Sequence, residues 1–213
     1  MAKRRKRKTK WSNFLFKRGR IRWLNLVVLV LIIALAGYGV DQLHQLRERQ
    51  MIVQKQSNSK KLFIKQIAPE SQVMMREHNV PASITMAQAI LESDWGSSTL
   101  AAKYYNLFGV KSSSVTNSQV LDTKEYENGS WIVIHGRFQV YSSWSASIDA
   151  HTMLMVNGTT DDQSKYANVI KATNYKDAAQ ALQQAGYATD PDYASKLIQV
   201  IQTYHLDKYD ENN

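Results

Sequence analysis

The chain has 213 residues, with 27 Lys or Arg against 18 Asp or Glu, and no cysteine. The missing thiols exclude a disulfide scaffold, thiolate metal sites and a cysteine nucleophile. The net charge of +9 is unevenly held: residues 1–22 carry eleven Lys or Arg and no acid, while the rest carries sixteen basic and eighteen acidic side chains, so the basicity belongs to an arm and argues against nucleic acid as partner of the body.

That arm contains KRRKRK at 3–8, followed by Lys10, Lys17, Arg18, Arg20 and Arg22. Residues 23–40, WLNLVVLVLIIALAGYGV, carry no charge and are just long enough to cross a hydrocarbon core of about 30 Å. The cations before this run put the N-terminus in the cytoplasm and the C-terminal body outside, with the arm against anionic inner-leaflet lipid. The run favours a single-pass membrane anchor; the alternative is a signal peptide, cleaved after Ala34-Leu35-Ala36, and a secreted body. Residues 41–61 are polar and read as a short amphipathic helix leaving the membrane, then a flexible linker, QKQSNSKK.

The body, residues 62–208, opens with a helical pattern over 62–79, where Pro69 predicts a kink or break. Pro81 suits the first turn of a second helix whose last part, Ile84–Gly96, reads ITMAQAILESDWG. On a helical wheel Ile84, Ala87, Leu91 and Trp95 make one apolar stripe, with Thr85, Gln88 and Glu92 along its margin. A carboxylate there stands between core and cleft, where partial desolvation raises its pKa as a general acid requires. A short helix over 97–104 and a Gly-containing loop, NLFGVK, follow. Residues 119–126 and 131–138 are β-rich and flank Asn128-Gly129, a hairpin signal. Helices return at 145–156, 166–172 and 176–185, the last opened by Asn174 and Asp177 and closed by Gly186. Asp190 is placed as N-cap and Pro191 as first residue of a final helix reaching about His205. Residues 209–213 read as a frayed tail.

The fold class is therefore α+β and mostly helical, two-lobed, with a small hairpin lobe and one N-terminal transmembrane helix. The five histidines, at 44, 78, 135, 151 and 205, form no ligand spacing, so neither metal nor other cofactor is signalled. The hairpin carries Glu125 and Glu127. Glycoside hydrolysis uses two carboxyl groups across the scissile bond, and Glu92 with a hairpin glutamate would supply them. Tyr104, Tyr105, Phe108, Trp131, Tyr141, Trp144, Tyr166, Tyr187 and Tyr193 lie near the same loops, as stacking faces for sugar rings or as core.

AQAILESDWG, YYNLFGVK, TKEY and GYATDPDY, in this order, resemble the family-73 glycoside hydrolases, bacterial endo-β-N-acetylglucosaminidases that cut peptidoglycan. The resemblance covers residues 62–208 and implies a lysozyme-like domain acting on peptidoglycan glycan strands at N-acetylglucosaminyl β-1,4 linkages. By position, it makes Glu92 the general acid, Glu125 the base and Tyr187 a tyrosine shaping the acetamido side of the site. Asn106 and Phe108 fall in a motif that lines or supports the substrate groove. Asp94 stands where relatives often have Gly and could raise the pKa of Glu92 or face away. Alternatives are a muramidase or lytic transglycosylase on the same strand, and a catalytically silent wall-binding domain.

Overall fold

The computed structural model describes the backbone of residues 16–17, 20–127 and 130–211, and the side chains of residues 22–122, 133 and 135–211. The chain forms two compact units, Met1–Asn58 and Ser59–Asn213. Most of the basic arm lies outside the described residues; what is described of it is an antiparallel pair of two-residue strands, β1 (Phe16–Lys17) and β2 (Arg20–Ile21).

Helix α1 (Trp23–His78) begins in the first unit and ends in the second. Trp23, Leu24, Ile33 and Leu35 are between 62% and 76% exposed, and none of the apolar window is buried by protein. The helix is long and apolar enough to cross a membrane, and an apolar surface on every face calls for an apolar surrounding.

The 41–61 stretch, expected to end in a flexible linker, is helical throughout. It contains no Gly or Pro, its Gln, Lys, Arg and Leu residues are good helix formers, and Gln45 to Asp41 and Gln54 to Asn58 are bonded one turn apart. Pro69 does not break α1. Ile67, Ala68, Ser71 and Met74 around it are buried, and that packing outweighs the one backbone bond proline removes.

The second unit continues with α2 (Ala82–Ser93), α3 (Thr99–Tyr104), strands β3 (Ser118–Glu127) and β4 (Ser130–Gln139), α4 (Trp144–Asn157), α5 (Ala167–Lys171), α6 (Tyr175–Gln184), α7 (Tyr193–Tyr204) and a 3-10 turn, Leu206–Tyr209. It is a mostly helical body with one antiparallel hairpin. Helix α2 is its centre, packed by α6, α7 and the 3-10 turn. The wheel predicted a buried stripe with a polar margin; instead every residue from Pro81 to Ile90 is buried, Ser83, Thr85 and Gln88 included, and Leu91 of the predicted stripe is exposed. A helix surrounded by neighbours has no solvent face, so the wheel's margin loses its meaning until the helix leaves the core.

The hairpin runs one residue longer at each end than its β-rich segments suggested. Its register pairs Ser118 with Gln139 and Glu127 with Ser130, a two-residue connection of the kind Asn-Gly specifies; Asn128 and Gly129 themselves lie outside the described residues. Asn174 caps α6, its Oδ1 accepting from the N–H groups of Lys176 and Asp177. Helix α7 starts at Tyr193 rather than Pro191. Asp190 spends its side chain on the Asp192 N–H and its carbonyl on the Tyr193 N–H, closing a turn before the helix begins.

Nor does the chain fray at 209. Gln72 donates to the Tyr209 carbonyl, and the Asp210 carboxylate accepts from the Ser83 N–H at 2.8 Å and the Ser83 Oγ at 2.6 Å. Pro81 offers α2 no side-chain cap, so Asp210 fills that place from the far end of the body.

Candidate active site

Glu92 stands where α2 emerges from the core: Ile90 is 3% exposed, whereas Leu91 and Glu92 are exposed. The chain then turns sharply. Asp94 and Trp95 both take left-handed backbone, and Gly96 follows at φ +73°. The Gly96 N–H donates to Ser93 Oγ, which itself donates to the Ala89 carbonyl. A Cβ on Gly96 would come within 2.7 Å of Phe63 and 2.8 Å of Trp144, so glycine is required twice over, by conformation and by space. Trp95 meets Phe63 and Tyr204 edge-on, with the Lys60 ammonium over its ring. The Ser-Asp-Trp-Gly segment is thus the anchor that fixes the end of the helix carrying Glu92.

One side of Glu92 is held by an aromatic chain of contacts. The Tyr193 hydroxyl donates to Glu92 Oε1 at 3.0 Å, and Gln88 Nε2 donates to the Tyr193 oxygen at 3.2 Å. Tyr193 stacks on Tyr187, ring centroids 5.6 Å apart. The Tyr187 hydroxyl meets His151 Nε2 at 3.2 Å, and His151 stacks on Phe108 at 3.9 Å. Although Glu92 is open to solvent, protein atoms crowd its carboxyl, and this desolvation raises its pKa above the ordinary carboxylate value against the lowering effect of the Tyr193 bond. The phenols of Tyr187 and Tyr193 are raised too, by burial and then by the charge of Glu92; both stay protonated. His151, fully buried, has its pKa lowered to about 3 and is a neutral ring with no partner on Nδ1 among the described residues.

The sequence-derived site residues divide in this geometry. Glu92 and Tyr187 belong to one connected cluster. Glu125 lies on β3 opposite Ile132, and its side chain is outside those described. Asn106 does not face a groove: it is 1% exposed, both amide protons go to the carbonyls of Val110 and Gln139, and its Oδ1 accepts from the Val110 N–H. Phe108 is likewise buried, its ring on His151. Direct substrate binding by these two gives way to support, because their polar atoms and ring face are already committed; Asn106 ties the loop to the foot of the hairpin. Asp94 caps α2 and accepts from the Ser97 hydroxyl; it is not among the influences on Glu92. The sequence placed Gln88 on the margin with Glu92 and His151 among the scattered histidines without giving either a role, and Tyr193 only as a stacking face or an inward aromatic. The signal available for Gln88 was its place one turn before Glu92; nothing marked His151. Among the described residues no three His, Asp or Glu side chains converge to hold a metal ion.

Residues 68–206 match the model of a family named Glucosaminidase, described as mannosyl-glycoprotein endo-beta-N-acetylglucosaminidase. The chain is 46% identical over 156 residues to the exo-glucosaminidase LytG of Bacillus subtilis, covering 73% of this chain and 55% of that one. It is 37% identical over 168 residues to a Lactococcus lactis subsp. cremoris protein named "Probable N-acetylmuramidase", covering 78% of this chain and 38% of the relative. It thus spans about half, or less, of the length of these curated relatives. Among solved structures it resembles the catalytic domain of the autolysin Auto from Listeria monocytogenes, with a TM-score of 0.67 and 38% identity over 71% of this chain and 88% of that one.

Proposed function

The chain belongs to the glucosaminidase family, and from that premise we propose that it is a peptidoglycan hydrolase, cleaving the glycan strand at N-acetylglucosaminyl β-1,4 linkages with Glu92 as general acid. The observation that carries the reading is the state of Glu92: an accessible carboxyl at the end of a rigid buried helix, its pKa raised by crowding, with Tyr193 bonded to one oxygen. Such a group holds its proton above the usual carboxylate range and can deliver it to the departing glycosidic oxygen as the C–O bond breaks.

The second half of the reaction has two routes. Glu125, carried on β3, would activate a water from the opposite side and invert the anomeric centre. Alternatively the substrate's own acetamido oxygen attacks, with Tyr187 beside it, and configuration is retained. A hairpin that closes on substrate would serve the first route. The catalytic domain in this reading is 62–208, held at the outer face of a bacterial membrane by residues 23–40, or released if that run is a cleaved signal.

A muramidase reading is favoured by one specific observation, the name of the lactococcal relative. Digestion of purified cell wall, with mass analysis of the reducing ends, separates the two: N-acetylglucosamine at the new reducing end supports the first reading, N-acetylmuramic acid the second. Glu92→Gln in the same assay is expected to lose at least about a hundred-fold in rate while keeping its circular dichroism spectrum. Turnover near the wild-type rate would remove Glu92 from the acid role.

A further inference from the structure

Gln88 and Glu92 lie one turn apart on α2, and Tyr193 of α7 lies across both. Gln88 is fully buried and Tyr193 is 4% exposed, so this contact is sealed from water on the core side of Glu92. Its hydrogen bonds have a direction. Gln88 Nε2–H points at the Tyr193 oxygen, and the single Tyr193 proton points at Glu92 Oε1. A phenol has one proton to give, and with the Gln88 amide donating to its oxygen that proton goes to Glu92.

A carboxylic acid has one proton and two oxygens to hold it. With Oε1 already accepting from Tyr193, a proton on Oε1 would confront the tyrosine's own. It would force the chain to reverse, Glu92 donating to Tyr193 and Tyr193 to the carbonyl of a turned Gln88 amide. In the observed orientation the amide N–H, not the carbonyl, is turned to the Tyr193 oxygen, and the Gln88 carbonyl has no partner among the described residues. A proton on Oε1 would face inward and be of no use to a glycosidic oxygen. On this geometry, and resting on Glu92 as the general acid, we propose that Gln88 and Tyr193 are positioning residues that keep the acid proton of Glu92 on Oε2, the oxygen that Tyr193 leaves free.

The pair also sets when the proton is lost, because a donor on Oε1 favours the carboxylate. The test is the pH profile of reducing-end release from purified wall by the full chain, for wild type, Tyr193→Phe and Gln88→Met. Tyr193→Phe removes the donor. Its alkaline limb is expected to move up by about one pH unit, and its acid-side plateau rate to fall about two- to ten-fold as the proton spreads over both oxygens. Gln88→Met keeps the bulk but frees the Tyr193 proton to turn, so the limb is expected to shift the same way by less. A merely structural role would lower the plateau and leave the limb in place; an unmoved limb in a folded variant overturns the proposal.

Infrared spectroscopy of the wild type supplies a measurement that needs neither variant to fold. The carbonyl stretch of protonated Glu92, identified by its loss in Glu92→Gln, is expected at a hydrogen-bonded frequency, and a free-carbonyl frequency overturns the proposal. Full activity of Glu92→Gln would instead sink the acid assignment itself, so the two failures are told apart.

Discussion

His151 and Glu92 pull the working pH in opposite directions. The acid form of Glu92 persists above the usual carboxylate range, so the proton it would supply in the proposed role is lost as pH rises through that raised value. His151 has its pKa lowered to about 3 by burial. A ring that resists protonation when folded contributes stability that is full above the unfolded value of about 6.5 and is lost as pH falls through the folded one. The expected outcome is a stability that declines by about 3 kcal/mol as pH is lowered from 7 to 4, and a flatter decline in His151→Phe; urea titrations at several pH values check it. Of this cluster, Glu92 stood out in the sequence through the ES-x-WG motif, and the structure places it where α2 leaves the core. Its partners were hidden: Tyr193 is 101 positions away and the Tyr187–His151 contact spans 36, and no local spacing encodes contacts across such distances.

Among the elements, the turn after α2 transmits the most from few residues. Gly96→Ala would add a Cβ against the rings of Phe63 and Trp144 at a positive φ. We expect a loss of about 2–4 kcal/mol by chemical denaturation, with a fall in the proposed hydrolase activity at temperatures where the variant is still folded, since the same turn fixes Glu92. A variant as stable as wild type would mean that both rings can withdraw. The elements whose cause is local were legible: the hairpin from Asn128-Gly129, and α6 from Asn174, whose side chain reaches the next N–H groups. Those decided by surroundings were not. Thr85 and Gln88 look like an open margin of α2 until neighbours close over them, and the QKQSNSKK end of the 41–61 stretch shows no apolar periodicity to announce that it continues α1. Asp190 misled because its carboxylate fits an N-cap equally well, yet it closes a turn.

On the scale of the whole molecule, the apolar first part of α1 and the folded second unit are distinct in what surrounds them. Side chains of the one are bare of protein, and those of the other enclose a core of Ile67, Ile84, Met86, Leu182, Leu197 and Ile201. If residues 23–40 remain as an anchor, the cell-associated protein should resist carbonate extraction, and its intact mass should include the residues before Gly37. A soluble product beginning at Gly37 would assign them to a signal peptide. The basic arm before this segment is legible from charge alone.

The bond between Asp210 and Ser83 links positions 127 apart. A chain synthesised from its N-terminus delivers Glu92 long before Asp210 follows. Until then α2 lacks both its N-terminal cap and the α7 hydroxyl that grips Glu92. The cluster around Glu92 is therefore complete only once the residues from Tyr187 to Asp210 have joined α2.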